Sequence, residues 1–172
     1  MKTLTTIEIV EWCKIRSIEV DASGRFTFAN DLHCIRFDIP SEIRRLAWFS
    51  RFIESNLRPR DRCLVWVTSW GIWESSENWH LYYRLRQSYG DFRLIEEAPG
   101  HLFLEYETPD LISFLHLGLS AGWDMHLFLS DNVSRVVVSH DGWVEIALAD
   151  KLEVERISAE IKKSGLSTAL SD

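Results

Sequence analysis

The segment from Thr108 to Gly122 constrains the fold more than any other part of the chain, because it predicts a helix with almost no polar face. Thr108, Pro109 and Asp110 mark its start, since they supply a hydroxyl, a proline and an acidic residue in succession. Six large apolar residues follow, namely Leu111, Ile112, Phe114, Leu115, Leu117 and Leu119. A helix that is apolar on nearly all sides is normally buried. The rest of the chain must therefore cover this helix, and Gly118 lets a neighbouring element approach it closely.

The residues after this helix predict three consecutive strands. From Trp123 to Ser130, apolar residues recur at every second position, which is typical of a half-buried strand. Residues 135–139 and 143–148 predict two more strands, and the Asp141-Gly142 pair between them favours a two-residue turn. We expect a three-stranded meander.

The remaining segments add both helices and strands. A capping box at Thr5 and Glu8 predicts a short first helix, and three more helices are expected over residues 43–57, from Ser75 or Ser76 to Gly90, and from Asp150 to Lys163. Further strands are predicted in a hairpin over residues 18–28, at 35–39, at 63–67, and in a second hairpin whose strands are 92–97 and 102–107.

This succession of elements predicts the α+β class, with a mixed, largely antiparallel sheet of seven or eight strands. Three to five helices pack on the sheet around a single-layer core. Residues 1–165 are expected to form one domain, and residues 166–172 a flexible C-terminal tail.

The charge of the chain is unevenly distributed. Its formal net charge is -7, and residues 84–172 contain 8 basic and 15 acidic residues. An acidic field repels the phosphate backbone of nucleic acids and attracts basic surfaces. The sequence therefore argues against general nucleic-acid binding and favours a basic protein partner.

Cysteine usage and hydropathy bear on the compartment. Cys13, Cys34 and Cys63 are odd in number and widely spaced, which favours reduced thiols in a cytoplasm over a disulfide framework. No apolar run approaches the roughly 20 residues that span a bilayer, and no signal peptide is evident at the N-terminus. We expect a cytoplasmic protein that does not bind membranes.

The segment from Arg62 to Arg93 contains four of the eight tryptophans. The sequence places Trp70 and Trp73 in a loop between the strand at 63–67 and the following helix, where partner contacts concentrate. Tryptophan, tyrosine and arginine dominate interface hot spots. The residues that we assign to partner or ligand contact are Trp70, Trp73, Glu74, Trp79, Tyr83, Arg86, Trp123 and Trp143. The competing interpretation is that the loop folds back and covers the core.

His140 is the one candidate for acid–base chemistry. If Asp141-Gly142 forms the turn, His140 pairs across from Trp143 and lies near Trp123, with Glu145 diagonal to it. Glu145 or Asp141 would then assist His140 as a general base. The alternative is that His140 fills the end of the core between two indoles, and we assign no catalytic residue.

No metal or cofactor site is expected. Asp124 and His126 supply half of a possible metal site, which His101 and His116 would have to complete, but the closed spacing of a structural zinc site is absent. The Walker loop, the dinucleotide glycine fingerprint and the nucleophile elbow are also absent.

These patterns favour a non-enzymatic, cytoplasmic protein-interaction module of the inhibitor, immunity or adaptor kind. In that hypothesis the aromatic loop and helix, together with the acidic C-terminal half, contact the partner. The alternative is a small-molecule binding protein or an acid–base enzyme with a tryptophan-lined pocket and His140. A homo-oligomer formed through the same surface is a third possibility.

Overall fold

A computed structural model describes residues 1–20, 26–27, 32–57, 61–70, 76–94, 96–130 and 134–170, and it confirms the α+β prediction. The strands are β1 (Lys2–Leu4), β2 (Glu19–Val20), β3 (Phe26–Thr27), β4 (His33–Asp38), β5 (Arg62–Ser69), β6 (Gly100–Leu104), β7 (Asp124–Leu129), β8 (Ser134–Ser139), β9 (Trp143–Leu148) and β10 (Thr168–Leu170). The helices are α1 (Thr6–Ile15), α2 (Ile43–Ser55), α3 (Ser76–Ser88), α4 (Thr108–Ala121) and α5 (Lys151–Lys163).

Eight strands form one sheet in the order β1-β6-β5-β7-β8-β9-β4-β10, and each neighbouring pair in it is antiparallel. Strands β2 and β3 form a separate two-stranded ribbon. The meander of β7, β8 and β9 confirms the prediction for residues 123–148. Strand β5, with five consecutive buried residues from Cys63 to Val67, lies between β6 and β7 near the middle of the sheet.

The main core lies between one face of the sheet and the helices α2, α3, α4 and α5. Helix α4 is the most apolar of them, and Leu111, Phe114, Leu115 and Leu119 on it are buried as expected. Gly118 brings α4 against β7, since a Cβ atom at this position would lie 2.4 Å from the Met125 sulfur. The predicted close approach is therefore confirmed.

A second, smaller cluster lies on the opposite face of the sheet. Helix α1 contributes Ile9, Trp12 and Cys13, which pack with Leu64 and Trp66 of β5. The predicted single-layer core is thus accompanied by a small second layer behind β5.

Several helix ends agree with the sequence signals. Thr5 and Glu8 form the predicted capping box of α1, because the Thr5 hydroxyl accepts from the Glu8 amide and the Glu8 carboxylate accepts from the Thr5 amide. Asp150 caps α5 by accepting from the Leu152 amide. Gly122 ends α4 in the left-handed conformation with φ +66.

Three predictions of local structure are wrong or displaced. The hairpin around Ala98-Pro99-Gly100 does not form, because residues 91–94 and 96–99 are not strands and β6 pairs with β5 and β1 instead. Ser139 pairs with Trp143, so the turn holds three residues, 140–142, rather than two. Within the predicted tail, Thr168–Leu170 pair with β4 as β10.

Within the described ranges, no helix is both long enough and apolar enough to cross a bilayer.

Candidate functional site

Two of the aromatic residues assigned to partner or ligand contact, Trp70 and Trp123, pack against each other at the main core. Trp123 is fully buried, and the Trp70 ring packs against it with centroids 4.9 Å apart. Tyr82 on the inner side of α3 lies 5.4 Å from both indoles. Trp70, at the end of β5, is half-buried against these rings, which is the arrangement expected at this residue if the loop covers the core.

Two other predicted contact residues that the structure describes, Tyr83 and Trp143, do not share a surface. Trp73 and Glu74 lie outside the described residues, as does the side chain of Trp79 in α3. Tyr83 is half-buried against the main core. Trp143 is half-buried under the Arg36 guanidinium, which lies 4.0 Å from the centroid of its ring.

The predicted cluster of Trp123, His140 and Trp143 is not assembled. In β9, Trp143 shares a sheet face with Glu145, whereas Trp123 is in the main core on the other face. The Glu145 carboxylate lies 3.0 Å from Arg36 Nη2 and 3.3 Å from Arg135 Nη2. Glu145 is therefore not diagonal to His140, as the sequence had predicted. The three-residue turn causes this change, because a shift of one residue moves a side chain to the opposite face.

His140 instead forms an exposed pair with Asp124. The Asp124 carboxylate accepts from the His140 backbone amide at 2.7 Å and lies 2.8 Å from ring Nδ1. This hydrogen bond and the negative charge of Asp124 raise the pKa of His140. The arrangement orients an imidazole, but no hydroxyl or thiol of the described residues is hydrogen-bonded to it.

Arg86, predicted to contact a partner, is completely buried and belongs to a polar network inside the main core. Its Nη1 donates to the Tyr82 hydroxyl at 3.0 Å, and that hydroxyl lies 2.8 Å from His101 Nε2. Because arginine only donates, the Tyr82 oxygen accepts from Arg86 and the phenolic proton is directed to His101. Burial, followed by the charge of Arg86, lowers the pKa of His101 to about 3 and keeps this histidine neutral.

Asp91 ends the network just beyond α3. Its carboxylate lies 3.2 Å from Arg86 Nη2 and 2.7 Å from Arg93 Nη2, and it also accepts from the Thr3 hydroxyl. Burial opposes ionisation of Asp91, but hydrogen bonds from Arg93 and the charge of Arg86 hold its pKa well below the usual range. One carboxylate therefore ties α3 to strand β1 and to the connection that leads to β6.

This connection presents apolar side chains to solvent. Phe92 is 75% exposed and Leu94 is 59% exposed, on either side of the anchored Arg93. The Leu94 carbonyl accepts from Arg86 at 3.4 Å, and its amide donates to the Glu97 carboxylate at 2.8 Å. We name residues 91–94 the anchored loop. Its backbone and polar side chains are fixed from within while two apolar side chains face outwards.

An open cleft of about 700 Å³ runs beside the anchored loop. Met1, Lys2 and Thr3 form one side of it, and Tyr89 to Arg93 form the other. The Tyr89 hydroxyl donates a hydrogen bond to the Asp110 carboxylate. Burial, together with this hydrogen bond, raises the pKa of Tyr89. The cleft is therefore lined by fixed polar groups next to a large exposed aromatic ring.

The described residues contain no group of three or more histidine, cysteine, aspartate or glutamate side chains placed to hold a metal ion. The anchored loop provides apolar area and hydrogen-bonding groups, and its carboxylate is already neutralised by two arginines.

The fold and the anchored loop together define an α+β domain with an antiparallel sheet and a pre-organised surface loop. Comparison of the chain with protein-family models, with curated proteins and with solved structures gives no match.

Sequence reasoning missed the anchored loop because it placed Arg86 on the outer face of α3. The spacing contains the contrary signal, since Tyr82, Arg86 and Tyr89 recur at intervals of four and three and share one helix face. Tyr82 and Arg86 are both fully buried, as their spacing of four residues on one helix face requires.

Proposed function

We propose that this chain is a non-enzymatic, cytoplasmic protein-interaction module of the inhibitor, immunity or adaptor kind, and that the anchored loop contacts its partner. One observation carries the proposal. Phe92 and Leu94 are largely exposed on a loop that a fully buried arginine fixes from inside. Isolated exposed apolar residues are common on protein surfaces, but here Phe92 and Leu94 lie on a loop whose Asp91 carboxylate and Leu94 carbonyl are both held by the buried Arg86, and burying that charge is costly.

Fixing the loop before binding strengthens association. A partner that orders a mobile loop loses binding free energy, about 0.5–1.5 kcal/mol for each immobilised side chain. The backbone of the anchored loop is already held, because Arg86 donates to the Leu94 carbonyl, the Glu97 carboxylate accepts from the Leu94 amide and the Asp91 carboxylate accepts from the Arg93 amide. Burial of the Phe92 ring and the Leu94 side chain then contributes directly to affinity.

The surroundings of the loop favour a basic partner. Glu96 and Glu97 are exposed two and three residues after Leu94, and the C-terminal half of the chain is acidic. Opposite charges around an apolar contact mainly raise the association rate and the specificity. The partner that fits is a protein with an apolar pocket and a basic rim.

The proposed compartment agrees with the thiols, since Cys13, Cys34 and Cys63 are all free. Free buried cysteines are usual in proteins of a reducing cytoplasm.

A second candidate function is acid–base catalysis at His140, which only the Asp124–His140 pair favours. Loss of an enzymatic activity on His140→Ala, with unchanged stability, would establish this candidate. An activity that survives this substitution would exclude His140 from the chemistry.

The leading proposal is tested by affinity capture with matched variants. The double variant Phe92→Ser, Leu94→Ser removes the apolar side chains of the anchored loop. The control is Ile15→Ser, Leu152→Ser, which changes two residues of similar exposure on α1 and α5. We expect wild type and the control to retain the same partner from a lysate of the source cells, and the loop variant to lose it. Equal retention by all three proteins would contradict the proposal.

A further inference from the structure

A groove on the outer surface of the helix layer shares no lining residue with the cleft beside the anchored loop. Its volume is about 440 Å³. Helix α4 provides the floor with Ile112, His116 and Leu117, while α2 and α3 stand on either side. Ile112 and Leu117 lie outside the buried face of α4 and are only partly covered by the protein. Their position at the floor of the groove accounts for the apolar character of α4 beyond its buried face.

The walls of the groove are helical and apolar near the floor. Leu81 and Leu85, one turn apart on α3, line one wall, and Leu81 is 44% exposed. Ala47 and Arg51, one turn apart on α2, line the other. Exposed Ile43 lies one turn before Ala47 on the same stripe of α2 and extends the apolar surface.

The rim of the groove is basic, in contrast to the acidic chain as a whole. Arg51 lines the groove and is exposed, and exposed Arg44 lies seven residues before it on the same face of α2. On the other wall, exposed Arg84 is three residues from Leu81. Among the described residues, none of these three arginines forms an ion pair.

We propose that this groove binds an amphipathic helical segment of a partner protein, with apolar residues on one face and acidic residues beside them. A helix that lies between two others presents side chains at intervals of three and four, which matches the single-turn spacing of both walls. Carboxylates beside that apolar face meet Arg51 on one side and Arg84 on the other. This surface goes beyond the function proposed above, and it uses none of the residues of the anchored loop.

Two synthetic helical peptides test the inference. They carry the same leucines at intervals of three and four, and their remaining positions are glutamate in one peptide and lysine in the other. We expect fluorescence anisotropy to show that the glutamate peptide binds at least about tenfold more tightly, a difference of about 1.4 kcal/mol. Equal affinities, or a preference for the lysine peptide, would overturn the inference.

A second experiment reverses the charge of two arginines at the rim of the groove. The double variant Arg51→Glu, Arg84→Glu should remove the preference for the glutamate peptide. The control Lys162→Glu, Lys163→Glu makes the same change of charge on exposed residues of α5 and should keep the preference. Equal effects of the two double variants would attribute the preference to net charge and would overturn the groove as its source.

Other occupants give distinct results. Sedimentation of a dimer that Arg51→Glu, Arg84→Glu dissociates would identify a second copy of this chain as the occupant and overturn the inference. Failure of both peptides to bind would also overturn it, but would leave the proposal for Phe92 and Leu94 untouched. The Phe92→Ser, Leu94→Ser variant should bind the glutamate peptide as the wild type does.

Discussion

The Arg86 guanidinium lies 3.2 Å from the Asp91 carboxylate, and it reaches this position from a side chain with no solvent exposure. Asp91 also pairs with Arg93, whereas Arg86 has no other acidic partner among the described residues. The two members of the pair are therefore not equivalent. The Arg86–Asp91 contact links the interior of the protein to the loop that we propose as its contact surface.

Removing Asp91 should destabilise the protein more than removing Arg86. Asp91→Ala leaves a buried guanidinium without its carboxylate, and such a loss costs about 3–5 kcal/mol. Arg86→Met removes the buried charge itself, and Asp91 keeps its bonds to Arg93 and Thr3. Urea unfolding at neutral pH measures the free energy of unfolding of both variants. Asp141→Ala is the control at an exposed aspartate. A larger loss for Arg86→Met would contradict this account of the pair.

The ionisation of Asp91 predicts how stability responds to acid. Because the pKa of Asp91 is lower in the folded protein than in the unfolded chain, its contribution is present above the unfolded pKa of about 3.9. That contribution is lost as the pH falls through the folded pKa. Asp91→Asn should therefore show a shallower loss of unfolding free energy below about pH 4 than the wild type. Parallel curves for the two proteins would exclude Asp91 as a source of acid sensitivity.

The Asp124–His140 pair predicts the opposite dependence of stability on pH. The pKa of His140 is raised by Asp124, so the pair stabilises the fold below the unfolded pKa of about 6.5. The contribution disappears as the pH rises through the folded pKa. Asp124→Asn should lower the pKa of His140, which an NMR titration of the imidazole protons measures. An unchanged titration midpoint would show that Asp124 does not control His140.

Gly118 predicts a packing effect between α4 and β7. A Cβ atom there would lie 2.4 and 2.6 Å from the sulfur and terminal methyl of buried Met125. Overpacking costs about 1–3 kcal/mol, while alanine gains up to about 1 kcal/mol in helix propensity. Gly118→Ala should therefore destabilise the protein by about 1 kcal/mol in thermal or urea unfolding. Ser120→Ala, at an exposed position of the same helix, is the control. A stabilising Gly118→Ala would show that Met125 moves aside freely.

Local signals in the sequence predicted much of the fold. The capping box at Thr5, the end of α4 at Gly122 and the burial of α4 depend on a few neighbouring residues and were confirmed. The alternation after Trp123 likewise predicted the meander. These features follow from backbone geometry and from the burial of apolar side chains, which neighbouring residues determine.

Features that depend on distant partners were not predicted. Strand β6 pairs with β5 and β1, which are remote in sequence, and the local Pro99-Gly100 signal indicated a hairpin instead. The turn after β8 contains one more residue than predicted, and this displaced His140 towards Asp124. Arg86 was assigned to partner contact because arginine is common in interface hot spots, whereas the fold buries it beside Tyr82 and Asp91.

The same distinction applies to the candidate site. The loop position of Trp70 left open whether it faces a partner or covers the core, and its half-buried packing against Trp123 depends on a residue distant in sequence. The exposed apolar residues Phe92 and Leu94 had been assigned to a strand, where alternate side chains are normally covered. Only the structure, in which residues 91–94 do not form a strand, shows that both side chains are exposed.

Hydroxyl-radical footprinting of the protein bound to its captured partner tests the central claim most directly. Phe92 and Leu94 should be oxidised less in the complex than in the free protein, because the partner covers them. Ile15 and Leu152, which are equally accessible in the free protein, should be oxidised to the same extent in both states. If Phe92 and Leu94 remain as reactive in the complex as they are alone, the anchored loop is not the contact surface.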